Sequence, residues 1–344
     1  MSLVFTIVRP THPGDASGIA QAIRSWPADR VRRVAAFGKT EGPATLNDYS
    51  RDLAQSAFDN AIREVGPELL DRTWRLFSTG CEGIASPMTA LVAELADASA
   101  SDALGLAMGT ARSRPVPTEL RCGRGHVEIA AETVQEAMLA GGIAADQVAL
   151  VLIKSPVLDP NQATRAQTLA RHAGSTGSAR GAAALGAGVA LKQIEIRALD
   201  DDPVGRARAF SRNVMSFSGT ETDSIEAIVF GQCRGGDARW RIASAHLDDL
   251  LDGAPVEMLK AGAQGEPKLV FFKAGVPPSG FLRGRRTTVL TSDLPPDKQL
   301  RAAASGIVAA HFGMADAFIS GGAEHQGPPG SSFCAVISEA RLES

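Results

Sequence analysis

The chain has 344 residues, of which 44% are hydrophobic and 21% charged, with a formal net charge of −3. That length and balance suit a water-soluble protein of two or three compact units with a sizeable core. Without an excess of positive charge there is no electrostatic footprint for nucleic acid or an anionic membrane, so small molecules are the expected partners.

Cys81, Cys122, Cys233 and Cys334 are scattered, with no Cys-x-x-Cys pair, and read as reduced thiols of a cytoplasmic protein. The N-terminal segment has no basic stretch ahead of its apolar run, which argues against a signal peptide. No run of about 18 apolar residues occurs, so no membrane-spanning helix is expected.

In chain order, residues 4–8 predict a first strand, and residues 34–39 (VAAFGK) a second that ends on Lys39. Residues 46–65 carry a helical period, and the turn Ser78-Thr-Gly-Cys-Glu82 follows. Residues 88–98 also read as helical. The stretch 109–124, rich in Pro, Arg and Gly, reads as a boundary. A helix over 133–140 then leads to a second lysine-ended strand, 148–154 (VALVLIK), with helices expected over 161–172 and 179–190 and a strand over 193–199. The turn Phe217-Ser-Gly-Thr-Glu221 precedes strands at 227–230 and 239–243. A second boundary falls over 252–267. The last part repeats the theme: residues 269–273 (LVFFK), a strand over 287–290, a helix over 296–311, a strand over 317–320, the turn Ser320-Gly-Gly-Ala-Glu324 and a strand over 333–337. The alternation predicts α/β layering in three repeat units, 1–105, 110–250 and 255–344, around a common axis.

A lysine ending a buried strand must reach water, find a carboxylate, or sit neutral. Three in matched positions, Lys39, Lys154 and Lys273, point to a shared site. Neutral lysine can take a proton from serine, and a Ser-Gly turn can present both a hydroxyl and backbone donors for an oxyanion, so the chemistry suggested is acyl transfer without a metal. Each unit adds one arginine after its lysine, Arg51, Arg180 and Arg301, whose planar forks suit carbonyl oxygens. Five of the six histidines lie in unrelated contexts and only His325 adjoins a serine turn, which gives little support to a Ser-His-Asp triad, and no G-x-S-x-G elbow occurs. The loop from Ser320 to Gly330 reads equally as a plain turn or as a wrap of carbonyls for Mg²⁺ or Ca²⁺.

Gly38-Lys-Thr-Glu-Gly42 with Asn47-Asp-Tyr-Ser-Arg51, Ile153-Lys-Ser-Pro156, Ser178-Ala-Arg-Gly-Ala-Ala-Ala-Leu-Gly186 and Ser320-Gly-Gly-Ala-Glu-His-Gln-Gly-Pro-Pro-Gly330 occur in family order. On these segments the chain resembles the ring-opening amidohydrolases, the family of cyanuric acid hydrolase and barbiturase. The resemblance implies an α/β fold of three YjgF-like repeats about a pseudo-threefold axis, a homotetramer, and hydrolytic opening of a cyclic imide or ureide with no cofactor in the chemistry. It implies Lys154 as general base, with a serine of the middle turn as nucleophile. Arg51, Arg180 and Arg301 would clamp the substrate, together with Lys39, Lys273, Ser78, Thr79, Gly219, Ser320 and Gly321. It also implies a structural cation held by Ala323, Gln326, Gly327, Pro328 and Ser331.

Two positions depart from the family pattern. Four residues before the closing glutamate stand Ser78 and Ser320, but also Phe217. A shift of one residue in the middle turn would make Ser218 the nucleophile, with Ser216 on the other side of Phe217. Ala274 stands where a cation-binding glutamate is expected. Alternatives of another class are a binding protein on a catalytically altered scaffold, and an imine deaminase that needs no serine.

Overall fold

The computed structural model describes residues 1–46, 48–96, 103–160, 171–263 and 265–340. Asn47 and most of the helix expected over 161–172 lie outside them.

Three four-stranded sheets share one plan. In the first, β1 (Ser2–Val8), β2 (Val31–Thr40), β3 (Thr73–Thr79) and β4 (Met88–Leu95) lie in the order β1-β4-β2-β3. In the second, β5 (Leu104–Pro115), β6 (Val148–Pro156), β7 (Val214–Gly219) and β8 (Ser224–Arg234) lie in the order β5-β8-β6-β7. In the third, β9 (Trp240–Leu247) and β10 (Pro267–Ala274) come first, and a small hairpin of β11 (Phe281–Leu282) and β12 (Arg285–Arg286) stands apart. Then β13 (Phe318–Gly321) and β14 (Ser332–Glu339) complete the order β9-β14-β10-β13. In every sheet the lysine strand runs parallel to the strand that leads into the turn and antiparallel to the last strand.

A parallel pair needs a crossover, and helices supply it. In the first unit α1 (Ser17–Arg24) follows β1, and α2 (Ser50–Val65) joins β2 to β3; in the second α3 (Arg124–Gly141) follows β5, and α4 (Thr176–Ala190) lies between β6 and β7. The third repeats this with α5 (Ala254–Gly262) and α6 (Pro296–Phe312).

The sheets turn their other faces toward one another. Phe37, Phe230, Phe271 and Phe318 come from all three sheets and meet in one core, with ring centroids of Phe37 at 5.4 Å from Phe271, 5.7 Å from Phe318 and 6.4 Å from Phe230. Strands buried on both faces lose the alternation that would reveal them. That is why 88–98, expected to be helical, is the strand β4: Met88, Ala90 and Val92 face the shared core, while Leu91, Ala93 and Leu95 face the helices of their own unit.

Of the boundary expected over 109–124, residues 109–115 belong to β5, and the rest is a loop with a short 3-10 turn, Thr118–Leu120, that leads into α3. Gly109 is there because a Cβ would lie 1.9 Å from the Ala137 carbonyl, so the helix backbone rests directly on the strand. The third sheet begins at Trp240, whose strand pairs with β14, so residues 240–250 belong with the third unit and not the second. The strands expected at 193–199 and 287–290 are turns, the former with a short 3-10 helix over Ile196–Ala198. Among the described residues no helix is long and apolar enough to cross a membrane.

Because Phe37 is fully buried where the three sheets meet, Phe37→Ala should cost about 3–5 kcal/mol of unfolding free energy in a urea titration. A cost below about 1 kcal/mol would mean that the shared core does not hold the units together.

Candidate active site

The lysine strands deliver their side chains to the inner ends of the three sheets. Lys39, Lys154 and Lys273 are only 2%, 3% and 0% exposed. Pairing sets each against one residue of the parallel strand: Lys39 against Ser78, Lys273 against Ser320, and Lys154 against Phe217. The count back from the closing glutamate therefore holds in three dimensions, and the middle turn has no shift of register.

In the first and third units the lysine meets its serine. Lys39 Nζ lies 3.3 Å from Ser78 Oγ and donates to the Thr79 carbonyl at 3.0 Å. Lys273 Nζ lies 3.2 Å from Ser320 Oγ and donates to the Ser216 carbonyl at 2.9 Å. In the second unit Lys154 donates to the Phe77 carbonyl at 3.0 Å and forms a close ion pair with Glu221.

Ser218 does not serve as the partner expected for Lys154. Successive side chains of a strand point to opposite faces. Phe217 faces the shared core, where its ring lies 5.3 Å from that of Phe318 and 4.7 Å from Lys273 Nζ. Ser218 faces the helices, and its hydroxyl donates to the Thr176 carbonyl at 2.8 Å. Ser216 also faces away from the lysines.

The arginines close a ring between the units. Arg180 of the second unit grips Glu324 of the third through two bonds, at 2.9 and 2.8 Å. Arg301 of the third grips Glu82 of the first through two bonds at 2.6 Å. Arg51 of the first approaches Glu221 of the second only to 3.8 Å and donates instead to the Ser218 carbonyl at 3.3 Å. The glutamates were visible in the sequence only as turn ends. Their role was discoverable by charge accounting, since buried arginines need anions.

The turn glycines are where this ring rests on the backbone. A Cβ at Gly219 would lie 1.8 Å from Glu221 Oε2, and one at Gly80 would meet Arg301 Nε at 2.9 Å. Gly321 packs likewise against Asp297, which bonds Arg301 Nη1 at 2.7 Å.

Electrostatics separate the three lysines. Burial, reinforced by Arg301, pulls Lys39 down to about 7, and among the described residues no carboxylate forms an ion pair with it. Burial, reinforced by Arg180, likewise pushes Lys273 well below the ordinary lysine value. Glu221 stays ionised, because Lys154 and Arg51 outweigh the burial that opposes its charge. Burial lowers Lys154 as well, but its ion pair with Glu221 opposes the loss of its proton.

The loop expected to hold a cation does not fit one. Mg²⁺ and Ca²⁺ call for carboxylate and free carbonyl oxygens, but Ala274 supplies no carboxylate and Glu324 is bound to Arg180. Gln326 Oε1 accepts the Ser216 N–H at 2.8 Å, and its amide nitrogen lies 3.4 Å from the Gly322 and Glu324 carbonyls. Ser331 Oγ donates to the Pro328 carbonyl at 2.7 Å, and Gly327, with φ of 139°, lets the loop close on Ser331. Ala323 accepts the Gln326 N–H through its carbonyl at 3.0 Å. The segment is held by its own hydrogen bonds.

Residues 5–339 match the family described as amidohydrolase ring-opening protein. The chain is 34% identical over 338 residues to a cyanuric acid amidohydrolase of Azorhizobium caulinodans, covering 94% of this chain and 95% of that one. It is 33% identical over 353 residues to a cyclic amide hydrolase of the same organism, covering 94% and 96% respectively. The crystal structure of cyanuric acid hydrolase from A. caulinodans superposes with a TM-score of 0.90 at 31% identity over 99% of both chains.

If the arginine–glutamate ring fastens the units, Glu82→Ala, which leaves the Arg301 guanidinium at 5% side-chain exposure with Asp297 as its remaining carboxylate, should lower stability by about 2 kcal/mol. Chemical denaturation checks this, and a loss under about 1 kcal/mol would show that the ring is not structural.

Proposed function

The chain belongs to the ring-opening amidohydrolase family, and on that premise we propose that it hydrolyses a cyclic imide or ureide with Lys39 as general base and Ser78 as nucleophile. One observation carries this reading: Lys39 is the lysine that both touches a serine hydroxyl and is held at about 7 by burial, the range in which a base works best near neutral pH. Lys273 also touches its serine and is likewise pulled down by burial, but Ser320 is itself buried and its hydroxyl has a second partner in the Gly321 carbonyl at 3.3 Å. Ser78 is only partly buried and so open to a substrate.

Neutral Lys39 accepts the Ser78 proton as Oγ attacks a ring carbonyl carbon. The C–N bond of the ring breaks, the leaving nitrogen takes the proton from the Lys39 ammonium, and the opened chain remains as an ester on Ser78. Water, deprotonated by Lys39, then releases it as an acid and restores the hydroxyl. Each guanidinium of Arg51, Arg180 and Arg301 carries five N–H donors, more than its glutamate accepts, which leaves edges for ring carbonyls. Three such edges around one axis suit a planar ring with three carbonyls. The names of the relatives, cyanuric acid amidohydrolase and cyclic amide hydrolase, support the same substrate class.

A second reading rests on Phe217: a protein that binds the heterocycle without opening it. Assays with cyanuric and barbituric acids decide between the two, since binding of either ring without product would favour the second.

For the enzyme, Ser78→Ala and Lys39→Ala should each lower turnover by about 10²–10⁴-fold, while Ser218→Ala should stay within a few-fold of wild type. Loss of activity in Ser218→Ala with Ser78→Ala intact would overturn the assignment. Lys39 accepts a proton only when neutral, so kcat/KM should rise as pH increases through about 7, its value in the folded protein. A flat profile between pH 6 and 8, bounds set at about one unit to either side, would remove Lys39 as the base.

A further inference from the structure

Outside the lysine site, the start of α4 holds a second group of nucleophile, base and acid. His172 Nδ1 lies 2.8 Å from Ser178 Oγ, and His172 Nε2 lies 2.8 Å from Asp202 Oδ1. Asp202 also forms a close ion pair with Arg171. Arg171 Nε approaches His172 Nε2 at 3.2 Å, but a carboxylate at hydrogen-bond distance fixes the proton on Nε2 and leaves the Nδ1 lone pair facing Ser178. Sequence gave no hint of this, because the three residues are spread over thirty-one positions in a segment read as helix and strand.

His172 is itself buried, but its serine is not. His126 is the contrast: with Ser155 it makes a comparable contact at 2.8 Å, but both residues are fully buried, with no route to a substrate. Ser178 is partly exposed and lines a cavity of about 880 Å³. Ser178 is the third residue of α4, whose first N–H groups, those of Thr176 and Gly177, precede the helical ladder and lie at the positive end of the helix. Ser175 caps the helix, accepting the Ser178 N–H at 3.1 Å and the Ser178 hydroxyl at 2.9 Å, a hydroxyl that rotates toward His172 to give up its proton. Apolar Val204, Phe210 and Val276 line the same cavity, and Arg206 and Arg208 give it cationic edges.

We propose that Ser178, His172 and Asp202 form a second hydrolytic site, one that cleaves an open-chain ester with an anionic acyl end. Ser178 Oγ attacks the ester carbonyl carbon while its proton passes to His172 Nδ1. The bond to the alcohol oxygen breaks, and His172 returns the proton to that leaving oxygen. Water then attacks the acyl-serine, again giving its proton to His172, and the acid leaves as Ser178 regains its hydrogen. The Thr176 and Gly177 N–H groups, at the start of α4, are the donors within reach for the developing oxyanion, and Asp202 stabilises the imidazolium. Nothing in this step uses Lys39 or Ser78, so it stands or fails separately from ring opening.

The test is labelling of the full chain by a fluorophosphonate, in which Oγ displaces fluoride at phosphorus, with the adduct mapped by peptide mass spectrometry. The adduct should fall on Ser178, vanish in Ser178→Ala, and form about 100-fold more slowly in His172→Gln and about 10-fold more slowly in Asp202→Asn. Hydrolysis of p-nitrophenyl succinate should follow the same order and exceed that of neutral p-nitrophenyl butyrate by about 10-fold, a margin worth about 1.4 kcal/mol of charge recognition. Absence of an adduct on Ser178 in the wild type, whether or not Ser78 is labelled, or a His172→Gln rate equal to wild type, would overturn the site. Equal rates for the two esters would overturn the substrate class. Thermal unfolding of each variant separates a lost fold from a lost base, and the position of the wild-type adduct decides even where a variant unfolds.

Discussion

Three amino groups buried against a phenylalanine core set the terms for everything around them. Removing an ammonium from water costs several kcal/mol unless a partner or a lost proton offsets it. The protein uses both solutions. Strand-end backbone carbonyls and turn serines receive the N–H donors, and burial drives Lys39 and Lys273 toward their neutral forms. The arginines and glutamates arranged around them then link the first, second and third units in a closed circuit.

The middle unit shows how tightly these parts depend on one another. Phe217 occupies the register position of Ser78 and Ser320, so Lys154 has no hydroxyl to meet. Lys154 turns to Glu221, and Glu221, held there, leaves Arg51 with a 3.8 Å approach where Arg180 and Arg301 each have two short bonds. One side chain thus leaves a lysine paired with a carboxylate and not with a hydroxyl, and loosens one link of the ring. The same ring of Phe217 lies over Lys273, so the replacement is packed into the neighbouring unit as well.

Much of this was legible because it is local and repeated. A lysine ending an apolar run, and a glycine turn closing on glutamate, recur three times, and parallel pairing brings the two together without any long-range subtlety. The side-chain direction of Ser218 was not legible, because it depends on register, which a single sequence does not display. Strand β4 was missed for a related reason: with both faces buried it has no polar side to mark its period. Boundaries failed where composition imitates a linker, as in the Pro- and Arg-rich end of β5. The grouping of Ser178, His172 and Asp202 comes from loop packing and leaves no periodic trace.

The two serine sites are built on opposite logics, and α4 joins them. The lysine site excludes water so that an amine loses its proton, which demands burial and leaves little room. The outer site stands at the edge of an open cavity, which Ser178 lines while His172 is buried behind it. Arg180 of α4 holds Glu324, and Glu324 Oε1 lies 2.8 Å from where a Cβ on Gly177 would be. The same helix therefore fixes one clamp of the inner ring and forms the wall of the outer cavity. A change that moves α4 along its axis must disturb both, whereas a change at Phe217 touches only the inner one.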